Sequence, residues 1–161
     1  MRFSKIGFVL VAVMILTLAS FRADSKASRA SNNLWADAHI DGLPTDIQTA
    51  LAAQSAACQE RRAMHEFSTY LSAGDSKYHF VSLHFEYFAC QDRSLICGPE
   101  GCLHQVYMST GGRYRLVYSA KVPEMELIVV DRQPAIGISC GFFGGNCLRV
   151  LRWTGARFVT Q

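Results

Sequence analysis

The sequence predicts an α+β fold in which one N-terminal amphipathic helix packs on an antiparallel sheet of about six or seven strands. Two observations predict the sheet. Short segments alternate apolar and polar residues between turns, and the stretches Cys97–Tyr114 and Cys140–Phe158 repeat one plan of cysteine loop, strand, glycine turn and strand. The repetition predicts two similar disulfide-loop hairpins within the sheet.

The helix is predicted from Thr45 to about His65. Ile47, Leu51, Cys58 and Met64 recur there at near-helical spacing in an alanine-rich stretch. Such spacing places the apolar side chains on one face, which we expect to lie on the sheet.

The strands follow the helix. Residues 78–89 alternate, so that Ser82, His84 and Glu86 share one face and apolar residues share the other. Six further strands are expected on the same grounds: Leu103–Met108, Arg113–Ser119, Met125–Val130, Ala135–Ser139, Leu148–Trp153 and Arg157–Thr160.

The N-terminus has the layout of a secretory signal peptide. Arg2 and Lys5 precede an apolar run, Ile6–Leu18, and small residues follow that fit cleavage after Ala27 or Ala30. An uncleaved anchor is the alternative, but the apolar run is shorter than the roughly 20 residues of a spanning helix. We therefore expect a signal peptide at 1–27, a polar tail at 28–42 and a single disulfide-braced domain at 43–161.

Charge argues against a nucleic-acid partner. The predicted leader holds four of the 16 Lys and Arg residues and one of the 13 Asp and Glu residues. The mature chain is then neutral, whereas a protein that binds phosphate backbones needs a basic excess. No membrane association is expected after the leader is removed.

All six cysteines lie after the leader, and an even count in an exported chain predicts disulfides. The repeat favours the pairs Cys97–Cys102 and Cys140–Cys147, because each pair brackets a glycine-containing turn. Cys58–Cys90 is the remaining pair and closes the longest loop. A zinc site at Cys97, Cys102 and His104 is the alternative, but the spacing lacks the usual close cysteine pair, so no metal or other cofactor is expected.

One set of residues could support catalysis. His84 and Glu86 share a strand face, and Arg113 lies on a strand that could be near them. A base, an acid and a phosphate clamp would equip a small secreted nuclease, with His104 as the candidate second histidine. No hydrolase elbow, phosphate loop or Cys-x-x-Cys motif accompanies them. The alternative is that these are ordinary outward-facing polar positions, and we expect a protein that is not an enzyme.

The two cysteine loops are better placed for binding. Pro99 and Glu100 lie at the tip of the first loop, which the disulfide would order in advance. Phe142 and Phe143 lie beside glycines in the second loop and could form an exposed apolar anchor. The alternative is that both loops only brace the sheet.

The segment from Cys90 to Phe158 resembles a class of small exported bacterial proteins of unsettled function. The shared motifs are the loop Cys97–Cys102, the strand Val106-Tyr107, the turn Gly112–Arg115 and the hairpin Cys147–Phe158. The resemblance implies an exported cysteine-rich domain. Many members carry an Asp/Asn/Gly-rich segment that suggests calcium, but here only residues 74–76 stand in its place, without alternating acidic ligands.

The loop Cys97-Gly98-Pro99-Glu100-Gly101-Cys102 also resembles the Cys-x-Pro-x-x-Cys loop of Ivy-type lysozyme inhibitors. The resemblance implies that the loop would plug a lysozyme cleft. Where those inhibitors have a histidine, this chain has Glu100, which two catalytic carboxylates would repel.

Together these observations predict an exported, non-enzymatic binding protein of the periplasm or cell exterior. Its partner would be a protein or another envelope component, contacted through Pro99, Glu100, Phe142 and Phe143. An inhibitor of lysozyme or another hydrolase is the first alternative, and the nuclease is the second.

Overall fold

The chain folds into two antiparallel sheets, described here from a computed structural model over residues 34–72, 78–139 and 148–160. The predicted signal peptide lies outside these residues. So do the first residues of the predicted tail, Phe142, Phe143 and the predicted pair Cys140–Cys147.

The first sheet has five strands. In it, β1 pairs with β2 and β2 pairs with β4, while the short β3 and the long β5 also pair with β4. Their bounds are β1 Ser68–Ser72, β2 His79–His84, β3 Cys97–Gly98, β4 Gly101–Thr110 and β5 Arg113–Val122.

The second sheet has four strands in the order of the chain, each pairing with the next. Their bounds are β6 Glu124–Val130, β7 Gln133–Ser139, β8 Arg149–Trp153 and β9 Phe158–Thr160. A single residue, Pro123, separates β5 from β6, so the chain passes directly from one sheet to the other.

The predicted α+β fold with one sheet of six or seven strands is therefore wrong. The fold is mostly antiparallel β-structure in two sheets. The two repeated hairpins lie in different sheets, because β4 and β5 pair in the first sheet while β8 and β9 pair in the second. Alternation of apolar and polar residues identifies a strand but does not say which strands pair, and this is why the sequence did not reveal the second sheet.

Two short helical segments precede the sheets, α1 at Ala38–Asp41 and α2 at Thr45–Cys58. The predicted helix was expected to reach about His65. It ends at Cys58 because Gln59 takes a left-handed conformation, with φ of 55°, and such a residue stops a helix. Within the part of the chain that the structure describes, no helix is long and apolar enough to cross a membrane.

The central strands of the first sheet, β2 and β4, are buried on both faces. On one face, Ile47 and Leu51 of α2 pack with Val81 and Leu83 of β2. On the other face, an apolar layer between the sheets joins residues of β2 and β4 to residues of the second sheet: Phe80, Val106, Met108, Met125, Ile136, Leu151 and Trp153. A polar side chain on the second face of β2 is thus enclosed between two sheets.

Among the described residues, two disulfides brace this arrangement, Cys58–Cys90 and Cys97–Cys102, and these two of the three predicted pairings are confirmed. The second closes the turn between β3 and β4. Gly101 in this turn has φ of +114°, and a Cβ added there would lie 2.1 Å from the carbonyl oxygen of Val122. Only glycine therefore allows the turn to approach the end of β5.

Candidate metal centre

Two histidines face each other across neighbouring strands. His84 is the last residue of β2, and its partner in the register of β4 is His104. Because these strands lie inside the first sheet and the second sheet covers their outer face, both side chains are buried, and that of His104 is 0% exposed.

Glu86 reaches the same place by a turn. The strand predicted over residues 78–89 ends at His84, and Phe85–Tyr87 form a 3₁₀ turn. The turn places Phe85 and Phe88 against Phe67 in the core, with ring centroids 5.4 and 5.3 Å from that of Phe67. The carboxylate Oε2 of Glu86 then lies 3.7 Å from Nε2 of His104.

Hydrogen bonds fix the two imidazole rings. Nδ1 of His84 and Nδ1 of His104 are 3.1 Å apart and share one hydrogen. On its other side, Nε2 of His84 is hydrogen-bonded to the Ser82 hydroxyl at 2.8 Å and lies 3.3 Å from the Thr69 hydroxyl. The ring of His84 is therefore held from both sides.

Burial keeps both imidazole rings of the cluster uncharged. It lowers the pKa of His104 to about 4 and lowers the pKa of His84, since a charged ring in this layer would lose its hydration. Burial also raises the pKa of the Glu86 carboxyl. At neutral pH, His104 and Glu86 are thus not an ion pair, because the imidazole carries no charge.

Two atoms of the cluster have no hydrogen-bond partner. Among the described residues, three buried side-chain nitrogen or oxygen atoms lack one, and two of these are Glu86 Oε2 and His104 Nε2. Their separation of 3.7 Å is too long for a hydrogen bond. Buried polar atoms without partners cost free energy, so this pair calls for an explanation.

The three side chains form a set of potential metal ligands. One donor atom from each of His84, Glu86 and His104 lies within 4.8 Å of the others. Two imidazoles and a carboxylate are a donor set that suits zinc and its transition-metal neighbours.

A cleft opens beside the cluster, between the first sheet and β6. It has a volume of about 470 Å³, and nine of the described residues line it: Glu66, Thr69, His84, Glu86, Tyr87, Glu124, Met125, Glu126 and Leu127. Four of these are carboxylates and none is lysine or arginine, so the cleft presents negative charge.

The structure brings together part of the predicted nuclease set. His84, Glu86 and the candidate partner His104 meet, but Arg113 does not join them. Arg113 pairs with Thr110 at the far end of β4, six residues and about 20 Å along the strand from His104. The cluster therefore lacks the phosphate clamp that the nuclease interpretation requires.

The predicted binding loop is exposed at its tip. Pro99 and Glu100 are both exposed, and no ion pair of Glu100 is found among the described residues. Arg93 contacts the base of the loop, where its guanidinium lies 3.2 Å from the sulfur of Cys97. Phe142 and Phe143, the other two predicted binding residues, lie outside the described part of the chain.

The zinc alternative at Cys97, Cys102 and His104 does not form, because the two sulfurs are bonded to each other. The sequence placed His84 and Glu86 on one face and offered His104 as their candidate partner, but it did not indicate a metal site, because the face of His104 depends on strand pairing. Both histidines lie in strands that are buried on both faces. Their burial could have been predicted only if the second sheet, which covers one of these faces, had been known.

Comparison with protein-family models, with curated protein sequences and with solved structures finds no match to this chain.

Proposed function

We propose that this chain is an exported protein of the periplasm or cell exterior that binds one divalent transition-metal ion through His84, Glu86 and His104. The observation that carries the proposal is the buried, unpartnered pair of His104 Nε2 and Glu86 Oε2, 3.7 Å apart. The two disulfides support an oxidising compartment, as does the predicted leader.

A cation between these two atoms would remove the cost of burying them. A carboxylate oxygen is an acceptor, and Nε2 of His104 is an acceptor as well when Nδ1 of the same ring carries the hydrogen that it shares with His84. Two buried acceptors that face each other gain nothing from one another, whereas each can donate a lone pair to a metal ion.

The spacing suits such an ion. Metal–ligand bonds of about 2.0–2.1 Å at tetrahedral angles place ligand atoms about 3.3 Å apart. The gap between His104 and Glu86 exceeds this by about 0.4 Å, and all three donor atoms lie within 4.8 Å of one another. Small side-chain rotations would bring His104 and Glu86 onto the ion, and His84 would join them by giving up the hydrogen bond between its Nδ1 and Nδ1 of His104.

The hydrogen bonds behind His84 also favour a metal centre. Histidine ligands commonly use their second ring nitrogen to bind a polar group, which fixes the ring and its tautomer. Ser82 and Thr69 provide that contact to Nε2 of His84. Nδ1 of His84 is hydrogen-bonded to His104 in the metal-free protein and would exchange this partner for the ion.

The donor set indicates which ions would bind. Calcium and magnesium prefer six or more oxygen ligands, and here only one carboxylate is offered. Soft ions prefer thiolates, and all four cysteines in the described part of the chain are disulfide-bonded. Zn²⁺, Co²⁺, Ni²⁺ and Cu²⁺ suit two imidazoles and a carboxylate.

The test is a titration of chelator-treated protein with Co²⁺, followed by visible absorption, and with Zn²⁺, followed by calorimetry. We expect one equivalent to bind and the variants His84→Gln, His104→Gln and Glu86→Gln to weaken binding by at least about 100-fold. His79→Gln is the matched control, because His79 is exposed on the same strand. Absence of binding by the folded protein, or equal losses in the control, would refute the proposal.

A second candidate function is recognition of a protein or envelope component through the first disulfide loop. The exposure of Pro99 and Glu100 on a turn closed by Cys97–Cys102 favours it. A pull-down from envelope extract, run beside a lysozyme inhibition assay, tests it. Glu100→Ala should remove the partner or the inhibition, whereas Asp37→Ala, at an exposed carboxylate outside the loop, should not.

A further inference from the structure

Three protein donors leave a metal ion at this site short of a full coordination shell. Zinc centres that are only structural have four protein ligands, whereas centres with three keep a position for an outside molecule. His84 and Glu86 both line the cleft, so the remaining position would face it. This inference rests on the metal site proposed above.

We propose that this open position binds a small ligand that carries both a Lewis-basic donor atom and a positive charge. The donor would complete the coordination of the ion, and the charged end would lie among the carboxylates of the cleft. The inference concerns the class of ligand, which is a small cationic molecule such as an amine with a separate donor group.

The size of the cleft supports this class. Sites for small molecules typically enclose about 300–1,000 Å³, and the cleft has about 470 Å³. Tyr87, Met125 and Leu127 provide aromatic and apolar surface along its wall. A short organic body could therefore pack there between the metal ion and the rim.

The charge of the cleft supports a positive ligand. Beside Glu86, three further carboxylates line it, from Glu66, Glu124 and Glu126. Glu124 accepts a hydrogen bond from the Ser139 hydroxyl at 2.5 Å, which orients its carboxylate. Arg93 donates to the Glu86 carbonyl oxygen but does not line the cleft, so none of the described residues that line the cleft balances the negative charge.

The buried histidine makes this more than a group of surface acids. His104 is fully buried, and its unpartnered Nε2 faces Glu86, which forms part of the cleft lining. An acidic cleft of this kind concentrates cations and repels polyanions such as nucleic acids. The same charge therefore disfavours the nuclease alternative.

The experiment uses the full mature protein loaded with Co²⁺, whose visible spectrum reports its coordination. Three imidazoles are titrated that differ only in the end of a short side arm: trimethylammonium, methyl or sulfonate. We expect each to change the spectrum, with the cationic imidazole binding about fivefold more tightly than the neutral one and the anionic imidazole about fivefold more weakly.

Two charge variants complete the design. Glu126→Gln should reduce the preference for the cationic imidazole, whereas Asp37→Asn, which makes the same change in net charge at an exposed residue outside the cleft lining, should leave it unchanged. Circular dichroism of each variant checks that the fold is intact.

The outcomes separate the two proposals. If no Co²⁺ spectrum develops in the folded protein, the proposed function fails and this inference fails with it. If Co²⁺ binds but no imidazole changes its spectrum, the metal site stands and the open position is refuted. If all three imidazoles bind equally, the cationic ligand class is refuted.

Discussion

The burial of His104 predicts a specific loss of stability in acid. Its pKa is about 4 in the folded protein against 6.5 for an exposed histidine, because the ring is enclosed between the sheets. As the pH falls through 6.5, His104 takes up a proton in the unfolded chain but not in the folded protein. The free energy of unfolding therefore falls progressively between pH 6.5 and about pH 4. A difference of about 2.5 pKa units corresponds to about 3 kcal/mol at full effect.

The assay is urea unfolding of the metal-free protein at about pH 7.5 and about pH 4.5, with His104→Gln as the reference. Glutamine does not titrate and can keep a hydrogen bond to His84. Wild type should lose about 2.5 kcal/mol more free energy of unfolding than the variant between the two conditions. His84 and Glu86, the other titrating groups of the cluster, are present in both proteins, so their contributions largely cancel in the difference.

If the free energy of unfolding changes equally with pH in wild type and His104→Gln, burial of His104 is not the cause of the loss in acid. That result would mean that the imidazole of His104 is hydrated in solution, and that the second sheet does not enclose it.

Three further predictions concern the supporting structure. Ser82→Ala should weaken metal binding by about tenfold in calorimetry, because it removes a hydrogen bond that orients a ligand. Gly101→Ala should lower the free energy of unfolding by about 3 kcal/mol in urea, since the added Cβ meets a backbone oxygen at a positive φ. Gly98→Ala is the control, because a Cβ added at Gly98 has open space around it, and it should change the free energy of unfolding by under about 1 kcal/mol. A loss in Gly98→Ala as large as that in Gly101→Ala would contradict the clash as the cause. Replacing Cys58 and Cys90 by alanine should lower the free energy of unfolding by about 3–4 kcal/mol, because their disulfide joins residues 32 positions apart. A smaller loss than that from replacing Cys97 and Cys102, which are only five positions apart, would refute the dependence on loop length.

The sequence predicted local features well where the cause is local. Cys97–Cys102 follows from the position of its cysteines around a glycine turn, and Cys58–Cys90 follows as the remaining pair. The alternation over residues 78–89 correctly indicated a strand as far as His84. The predicted segments Met125–Val130 and Ala135–Ser139 lie within β6 and β7.

The long-range arrangement was not predictable in the same way. The second sheet covers β2 and β4. The alternation of residues along β5 and β6 does not indicate that the chain passes from one sheet to the other at Pro123. The face of His104 was undetermined because β4 is nearly continuously buried from His104 to Ser109 and has a register shift between Val106 and Tyr107. A candidate site that depends on that pairing could not be identified from one strand alone.

The proposed function depends on a metal ion between His104 and Glu86. The most direct measurement is a crystal of the Zn²⁺-soaked protein with anomalous diffraction recorded on both sides of the zinc edge. We expect one strong peak about 2 Å from donor atoms of His84, Glu86 and His104. A peak at the surface pair His39 and His65 instead, or no peak in the cluster at saturating Zn²⁺, would contradict it.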